Sequence, residues 1–242
     1  MSPAPKFRVA ELRRTLERIA AEHASTALAS SLSAEDMVLT DAILRHGSGF
    51  EIFTLDTGRL HADTLAVLDA IRQRYGYSVR VVRPDPVAVE SYVTRFGRDA
   101  FYSSVEMRQR CCGIRKVEPL RRALAGKAAW ITGRRRGQSV TRDDLQVEEY
   151  DHAHRMMKFN PLAEWSEAEV WAYIHAHGLP YNALYDQGYR SIGCAPCTRP
   201  VSPLEDARAG RWWWEHPESR ECGLHVGDDG RLERAIPVAV RA

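Results

Sequence analysis

Apolar residues recur along the first half of the chain in two alternating rhythms. Leu12, Leu16, Ile19 and Ala20 fall at helical spacing within residues 10–22, and residues 26–30 (TALAS) read as a short buried strand. The alternation then repeats, with a helix over 34–46, a strand over 50–55, a helix over 59–75 and a strand over 78–82. The turn Pro84-Asp85-Pro86 follows, then a helix through Val89 and Phe96, another over 115–125, and a strand over 128–132 (AAWIT). Strands alternating with helices predict parallel βαβ units and hence a doubly wound, mostly parallel α/β sheet. Farther on, Ser166 with Glu169 before an apolar run is a capping-box signature, and Gly178 marks the stop. Beyond about Pro200 the pattern loosens. Residues 1–200 therefore read as one α/β domain and 201–242 as an extended, partly mobile C-terminal tail.

In such sheets ligands collect beyond the carboxyl ends of the strands. Three predicted strand ends carry polar chemistry. The first holds Ser30, Ser31, Ser33, Glu35 and Asp36, the second Thr57, Gly58 and Arg59, and the third Arg134, Arg135 and Arg136 with Arg142 close behind. Small hydroxylated residues that open a helix can present backbone N–H groups to a phosphate, although Ser33 with Asp36 reads equally as an ordinary N-cap. This loop lacks the glycines and the Gly-Lys-Ser/Thr end of a Walker A motif. Glu35 and Asp36 would repel a polyphosphate unless arginines compensate. The arginine run is stronger evidence, because the guanidinium fork suits phosphate or sulfate oxygens and the run sits at a strand end between Gly133 and Gly137. All three loops would meet in one crevice.

Charge and cysteine usage narrow the chemistry. The 242 residues carry 34 Lys and Arg against 32 Asp and Glu, so no global field draws the chain to nucleic acid or membrane, and any anion site must be local. No apolar run approaches the ~20 residues of a membrane helix, and the charged N-terminus lacks a signal-peptide core, which points to the cytoplasm. Five cysteines in such a chain favour metal or thiol chemistry over disulfides. Cys111 and Cys112 are adjacent, and Cys194 and Cys197 form a CxxC pair. Adjacent cysteines strain a single tetrahedral zinc, whereas an iron–sulfur cube offers each thiolate its own iron. Four such thiols fit iron–sulfur better than zinc. Cys222 is left over among Glu, Gly and His, where neighbouring cations would favour the nucleophilic thiolate. The Trp212–Trp214 run reads as an anchor for the tail, and no HExxH spacing marks a hydrolytic zinc.

Three stretches together resemble the assimilatory adenylyl-sulfate (APS) reductases of the PAPS/APS reductase family: Cys111-Cys-Gly-Ile-Arg-Lys116, the segment from Ser191 to Arg199, and Glu221-Cys-Gly-Leu-His225. Leu55–Leu60, Ile131–Arg136, Asn160-Pro-Leu162 and Leu179–Asn182 fit the same pattern, which runs from about Ala29 to His225. The resemblance implies a PP-loop adenine-nucleotide hydrolase-like fold and a [4Fe-4S] cluster on Cys111, Cys112, Cys194 and Cys197. It implies reduction of adenosine 5′-phosphosulfate to sulfite and AMP in sulfate assimilation, with Cys222 as nucleophile and thioredoxin or a similar dithiol donor as reductant. A cytoplasmic homo-oligomer is also implied. By the same match, residues 30–36 form the nucleotide loop, Lys116 lies near the cluster and the sulfate end, and Arg142, Arg208 and Arg211 grip the phosphosulfate. Two positions depart from the pattern: Ser33-Ala34 stands for a usual Gly-Ala, and Gly137 for an acidic residue. The rival readings are a reductase of the 3′-phosphorylated substrate (PAPS), an ATP pyrophosphatase-type adenylating enzyme, and a zinc- or nucleic-acid-binding module.

Overall fold

The computed structural model describes residues 6–138, 142 and 144–216. Among them six strands form one sheet in the order β3-β2-β1-β4-β6-β5. These are β1 Thr26–Ser30, β2 Glu51–Leu55, β3 Arg80–Val82, β4 Ala129–Ile131, β5 Glu148–Asp151 and β6 Met156–Phe159. Every pairing is parallel except β5 on β6, which is antiparallel at the sheet edge. The chain runs outward from β1 through β2 to β3, then returns to place β4 on the other side of β1. A crevice opens where the winding reverses, between the carboxyl ends of β1 and β4.

The alternation of side chains along the strands sorts the helices onto two faces. Leu28, Ile52 and Ile131 point to one side, where they pack with Leu12, Leu16 and Ile19 of α1 (Lys6–Glu22). Val38 and Ile43 of α2 (Ala34–His46) and Tyr173 and Ile174 of α7 (Glu167–His177) complete that layer. Their sequence neighbours Ala27, Phe53 and Trp130 point the other way, against Leu120, Ala123 and Leu124 of α6 (Glu118–Leu124). Both faces are thus buried, which is why both alternating sets of positions in the strand centres are apolar. A third group, Leu32, Met37, Val67 and Ile71, packs α3 (Ala62–Tyr75) against the start of α2.

The predicted doubly wound sheet is present, with differences that have physical causes. The helix expected from residue 59 begins at Ala62, because residues 56–60 are held in the site described below. Asp85 caps α4 (Pro86–Phe96) by accepting from the Val87 N–H at 2.9 Å, with proline in the first turn. The capping box at α7 is present in full: Ser166 Oγ accepts from Glu169 N–H at 3.2 Å and Glu169 Oε2 accepts from Ser166 N–H at 2.8 Å. The helix expected over 115–125 is preceded by α5 (Val105–Cys112) and joined to it by a π-helical turn at Gly113–Val117. Residues 201–216 lie on the sheet domain, with Val201 N–H donating to Gly188 O (3.0 Å) and Arg199 N–H to Gly210 O (3.0 Å).

Candidate active site

A cleft of about 300 Å³ opens above β1, β2 and β4. The loop after β1 is built around one carboxylate. Asp36 Oδ2 accepts from Ser31 N–H (2.6 Å), Ser31 Oγ (2.7 Å) and Ser33 Oγ (3.2 Å). Ser33 does occupy the N-cap position, but its hydroxyl serves Asp36 and not the helix backbone. Leu32 is driven into the left-handed region (φ 62) while its side chain is fully buried, so the loop is over-determined. Asp36 Oδ1 faces Gly133 at the start of the arginine loop, where an added Cβ would stand 2.4 Å away. That approach explains the glycine. Burial, only partly offset by the serine donors, pushes the Asp36 carboxyl up to about 6.

The loops after β1 and β4 are also joined through charge. Arg135 Nε donates to Glu35 Oε1 at 2.9 Å and its Nη2 lies 2.8 Å from the same oxygen, with side chains only 5% and 9% exposed. Arg135 Nη1 also donates to Trp165 O (3.3 Å). The repulsion expected from Glu35 is therefore met by Arg135, whose fork is committed to binding two loops together. Arg134 and Arg142 both line the cleft, with the Arg142 guanidinium donating to Gln138 Oε1. Behind Arg134, Glu149 accepts from Lys158 (2.9 Å) and from Asn160 Nδ2 (3.0 Å), and Thr132 Oγ1 donates to Asn160 Oδ1 (2.5 Å). The strand ends β4, β5 and β6 are fixed by this buried network. On the sheet side the cleft is apolar, lined by Phe53, Leu120 and Trp130. One wall suits a flat ring, the other an anion.

Next to this cleft lies a second, smaller cavity lined by Cys111, Cys112, Cys194 and Cys197 with Arg59, Arg108 and Arg115. None of the four thiols is in a disulfide. Cys111 and Cys112 reach it from the end of α5, which the π-turn widens, and Cys194 and Cys197 from a single 3₁₀ turn. The loop after β2 closes over the pair. Thr57 Oγ1 and Cys194 Sγ are hydrogen-bonded at 3.2 Å, Ala195 N–H donates to Arg59 O (2.7 Å), and Arg115 Nη1 donates to Thr57 O (2.6 Å). Burial and then the neighbouring Cys194 push the Cys197 thiol up to about 12, against the opposing pull of Lys116 and Arg211. Burial also raises Cys111, with Arg115 against its sulfur working the other way.

Whether these residues fit a metal group follows from the donors. Among the described residues, no three His, Cys, Asp or Glu side chains form a group that could hold a metal ion in this geometry, so the thiols ring a cavity and do not close a ligand shell. The donor set is nevertheless all sulfur, soft, four in number and enclosed by arginines and a lysine that would balance an anionic thiolate cluster. The residues fit an iron–sulfur cluster in their chemistry.

The structure gathers Ser30, Ser31, Ser33, Glu35, Asp36, Thr57, Lys116, Arg134, Arg135, Arg142, Arg208 and Arg211 at the cleft. Gly58 and Arg59 stand apart from it. Arg59 lines the cysteine cavity, with Nη2 donating to Asp99 Oδ1 (2.7 Å) and its guanidinium 5.0 Å from the Phe101 ring centre. Lys116 and Trp212 line both cavities, so the two sites share a wall. Cys222 lies outside the described residues. Sequence reasoning missed Arg190 and the apolar wall, although the alternation of Phe53 and Trp130 along their strands was the signal for the latter. Among the described residues no helix is long and apolar enough to cross a membrane.

An open parallel sheet with a cationic cleft at its switch point defines a doubly wound α/β protein that takes an anionic ligand at its strand ends. A model of the phosphoadenosine phosphosulfate reductase domain matches residues 25–200, and the chain belongs to that family. It is similar to an adenosine 5′-phosphosulfate reductase of Burkholderia cepacia, 54% identical over 226 residues that cover 93% of this chain and 90% of the relative. A protein of the same description from Allochromatium vinosum is 55% identical over 210 residues, covering 87% and 82%. The fold is shared with a phosphoadenylyl-sulfate reductase of Candida auris solved as a phosphate complex, at TM-score 0.64 and 24% identity, covering 83% of this chain and 99% of that one.

Proposed function

We propose that the chain is an adenylyl-sulfate reductase, an oxidoreductase of sulfate assimilation that converts adenosine 5′-phosphosulfate to sulfite and AMP. The observation that carries the reading is the shared wall: Lys116 and Trp212 border both the cationic cleft and the four-thiol cavity. Relatives more than half identical across nearly the whole chain are described as reductases of this substrate.

In this reading the purine lies against Phe53, Leu120 and Trp130, and the phosphosulfate faces Lys116, Arg134, Arg142, Arg208 and Arg211. The Cys222 thiolate attacks the sulfate sulfur, a sulfur–sulfur bond forms, and the sulfur–oxygen bond breaks with its electron pair leaving on AMP. The cations stabilise the charge that develops on the departing phosphate. A dithiol of the thioredoxin type then attacks Cys222 Sγ, sulfite leaves, and the second thiol closes the donor's disulfide and frees Cys222. The two electrons come from the dithiol. Cys111, Cys112, Cys194 and Cys197 would hold a [4Fe-4S] cluster, which supplies an electrostatic and structural base beside the sulfate end. The protein acts as a cytoplasmic homo-oligomer in this reading. The test is sulfite release by anaerobically prepared protein with thioredoxin, comparing the substrate with its 3′-phosphorylated form. Release from the unphosphorylated substrate, abolished by Cys222→Ser with the visible absorption intact, is expected. Preference for the 3′-phosphorylated compound, or turnover by Cys222→Ser, would overturn the assignment.

A further inference from the structure

Three side chains that the reaction does not use tie the cysteine cavity to the stretch preceding Cys222. Arg108 stands on α5 one turn before Cys111 and Cys112 and is 1% exposed. Its Nε donates to Glu215 Oε1 at 2.6 Å, and that carboxylate is 4% exposed. The Arg108 guanidinium lies 4.5 Å from the Trp212 ring centre, and that of Arg211 lies 4.6 Å from it. Trp212 N–H donates to Cys197 O at 3.2 Å, and Trp212 adopts a left-handed φ of 44. A bulky residue stays in that region only where its surroundings dictate it. A buried ion pair stabilises little more than apolar residues of the same volume would, so its distinctive contribution is direction.

We infer that Arg108, Glu215 and Trp212 are positioning residues, forming a latch that roots the Cys222-bearing segment on the helix that carries Cys111 and Cys112. The inference rests on Cys222 being the nucleophile. Cys222 follows Glu215 by seven residues, so the covalent chain allows its thiol to stand no more than about 25 Å from that anchor. Releasing Glu215 moves the anchor back to Trp212, whose backbone N–H holds Cys197 O, ten residues before Cys222. Length alone then costs about twofold by the −3/2 power of tether length. Loss of aim costs far more, about 100-fold for a misplacement on the order of 1 Å. The two effects are separable by size.

The experiment mixes anaerobic holoprotein with adenosine 5′-phosphosulfate, without reductant, and follows by mass the gain of one SO₃ group on Cys222. Glu215→Gln is compared with wild type, alongside iron content, AMP affinity, and kcat and KM with a dithiol present. The latch requires adduct formation and kcat to fall at least tenfold, with KM and AMP affinity within about threefold of wild type and iron retained. Adduct formation within twofold of wild type would overturn the latch, and so would a loss that tracks AMP affinity or iron. If Glu215→Gln does not accumulate as folded protein, Glu215→Asp, which keeps the charge but shortens the reach, is read by the same criteria. A wild-type protein that forms no adduct would instead refute Cys222 as nucleophile, so the two failures are distinct.

Discussion

Replacing Arg135 with methionine isolates the charge pair that joins the two walls of the cleft. Both side chains are nearly sealed from water, and Arg135 Nε and Nη2 both point at one carboxylate oxygen, at 2.9 and 2.8 Å. Arg135→Met leaves Glu35 charged and buried with its partner gone, which costs about 3–5 kcal/mol. Adding Glu35→Gln removes the stranded charge, and the double variant should recover most of that loss, giving a coupling energy of about 2–3 kcal/mol. Urea unfolding of the four proteins measures the cycle, and AMP binding measured beside it separates structure from ligand contact. If Arg135 works through Glu35, the single variant is much weaker than the double, and the double binds AMP within about threefold of wild type. Additive losses would refute the reasoning, as would a double variant that is stable yet has lost AMP; the second result would make Arg135 a direct ligand group.

Two further outcomes follow from the site. Asp36 has a carboxyl raised to about 6 by burial, so the folded chain holds its proton between about pH 4 and 6 while the unfolded chain releases it. Stability from this group is present below that window and lost as pH rises through it, by about 3 kcal/mol. The wild-type-minus-variant difference in urea stability for Asp36→Asn should therefore fall by about 3 kcal/mol across this window, and a difference that stayed flat or grew with pH would contradict the assignment. Thr57→Val removes the hydroxyl at 3.2 Å from Cys194 Sγ while keeping the shape. With the proposed cluster bound, loss of such a support should speed bleaching of its visible band in air about tenfold; equal bleaching rates would deny Thr57 that role.

Much of this architecture was legible because it obeys simple periods. Strands β1, β2 and β4 are apolar on both faces and α2 and α3 follow with helical spacing, so the sheet and its three chemically rich strand ends could be placed in advance. The hairpin of β5 and β6 could not. Glu148–Asp151 is acidic, and Lys158 of Met156–Phe159 is buried against Glu149 and over the Trp130 ring, a satisfied charge where an apolar residue signals a core. Helix α5 was missed for the same reason, since its sequence is polar and its deepest side chains include Arg108. The cysteines declared themselves by spacing. That Arg135 answers Glu35, that Arg59 belongs to the thiols, and that residues 201–216 are pinned to the domain all depend on contacts between residues far apart in sequence. No local pattern encodes those.

In the proposed reaction a thiol of this chain displaces AMP from a sulfonated nucleotide before any reductant acts. Mixing anaerobic protein with adenosine 5′-phosphosulfate in the absence of a dithiol and counting released AMP tests it directly. One AMP per chain, appearing as a burst and absent from Cys222→Ser, is the expected result. No AMP until reductant is added, or an equal burst from Cys222→Ser, would rule out attack by that thiol ahead of the reductant.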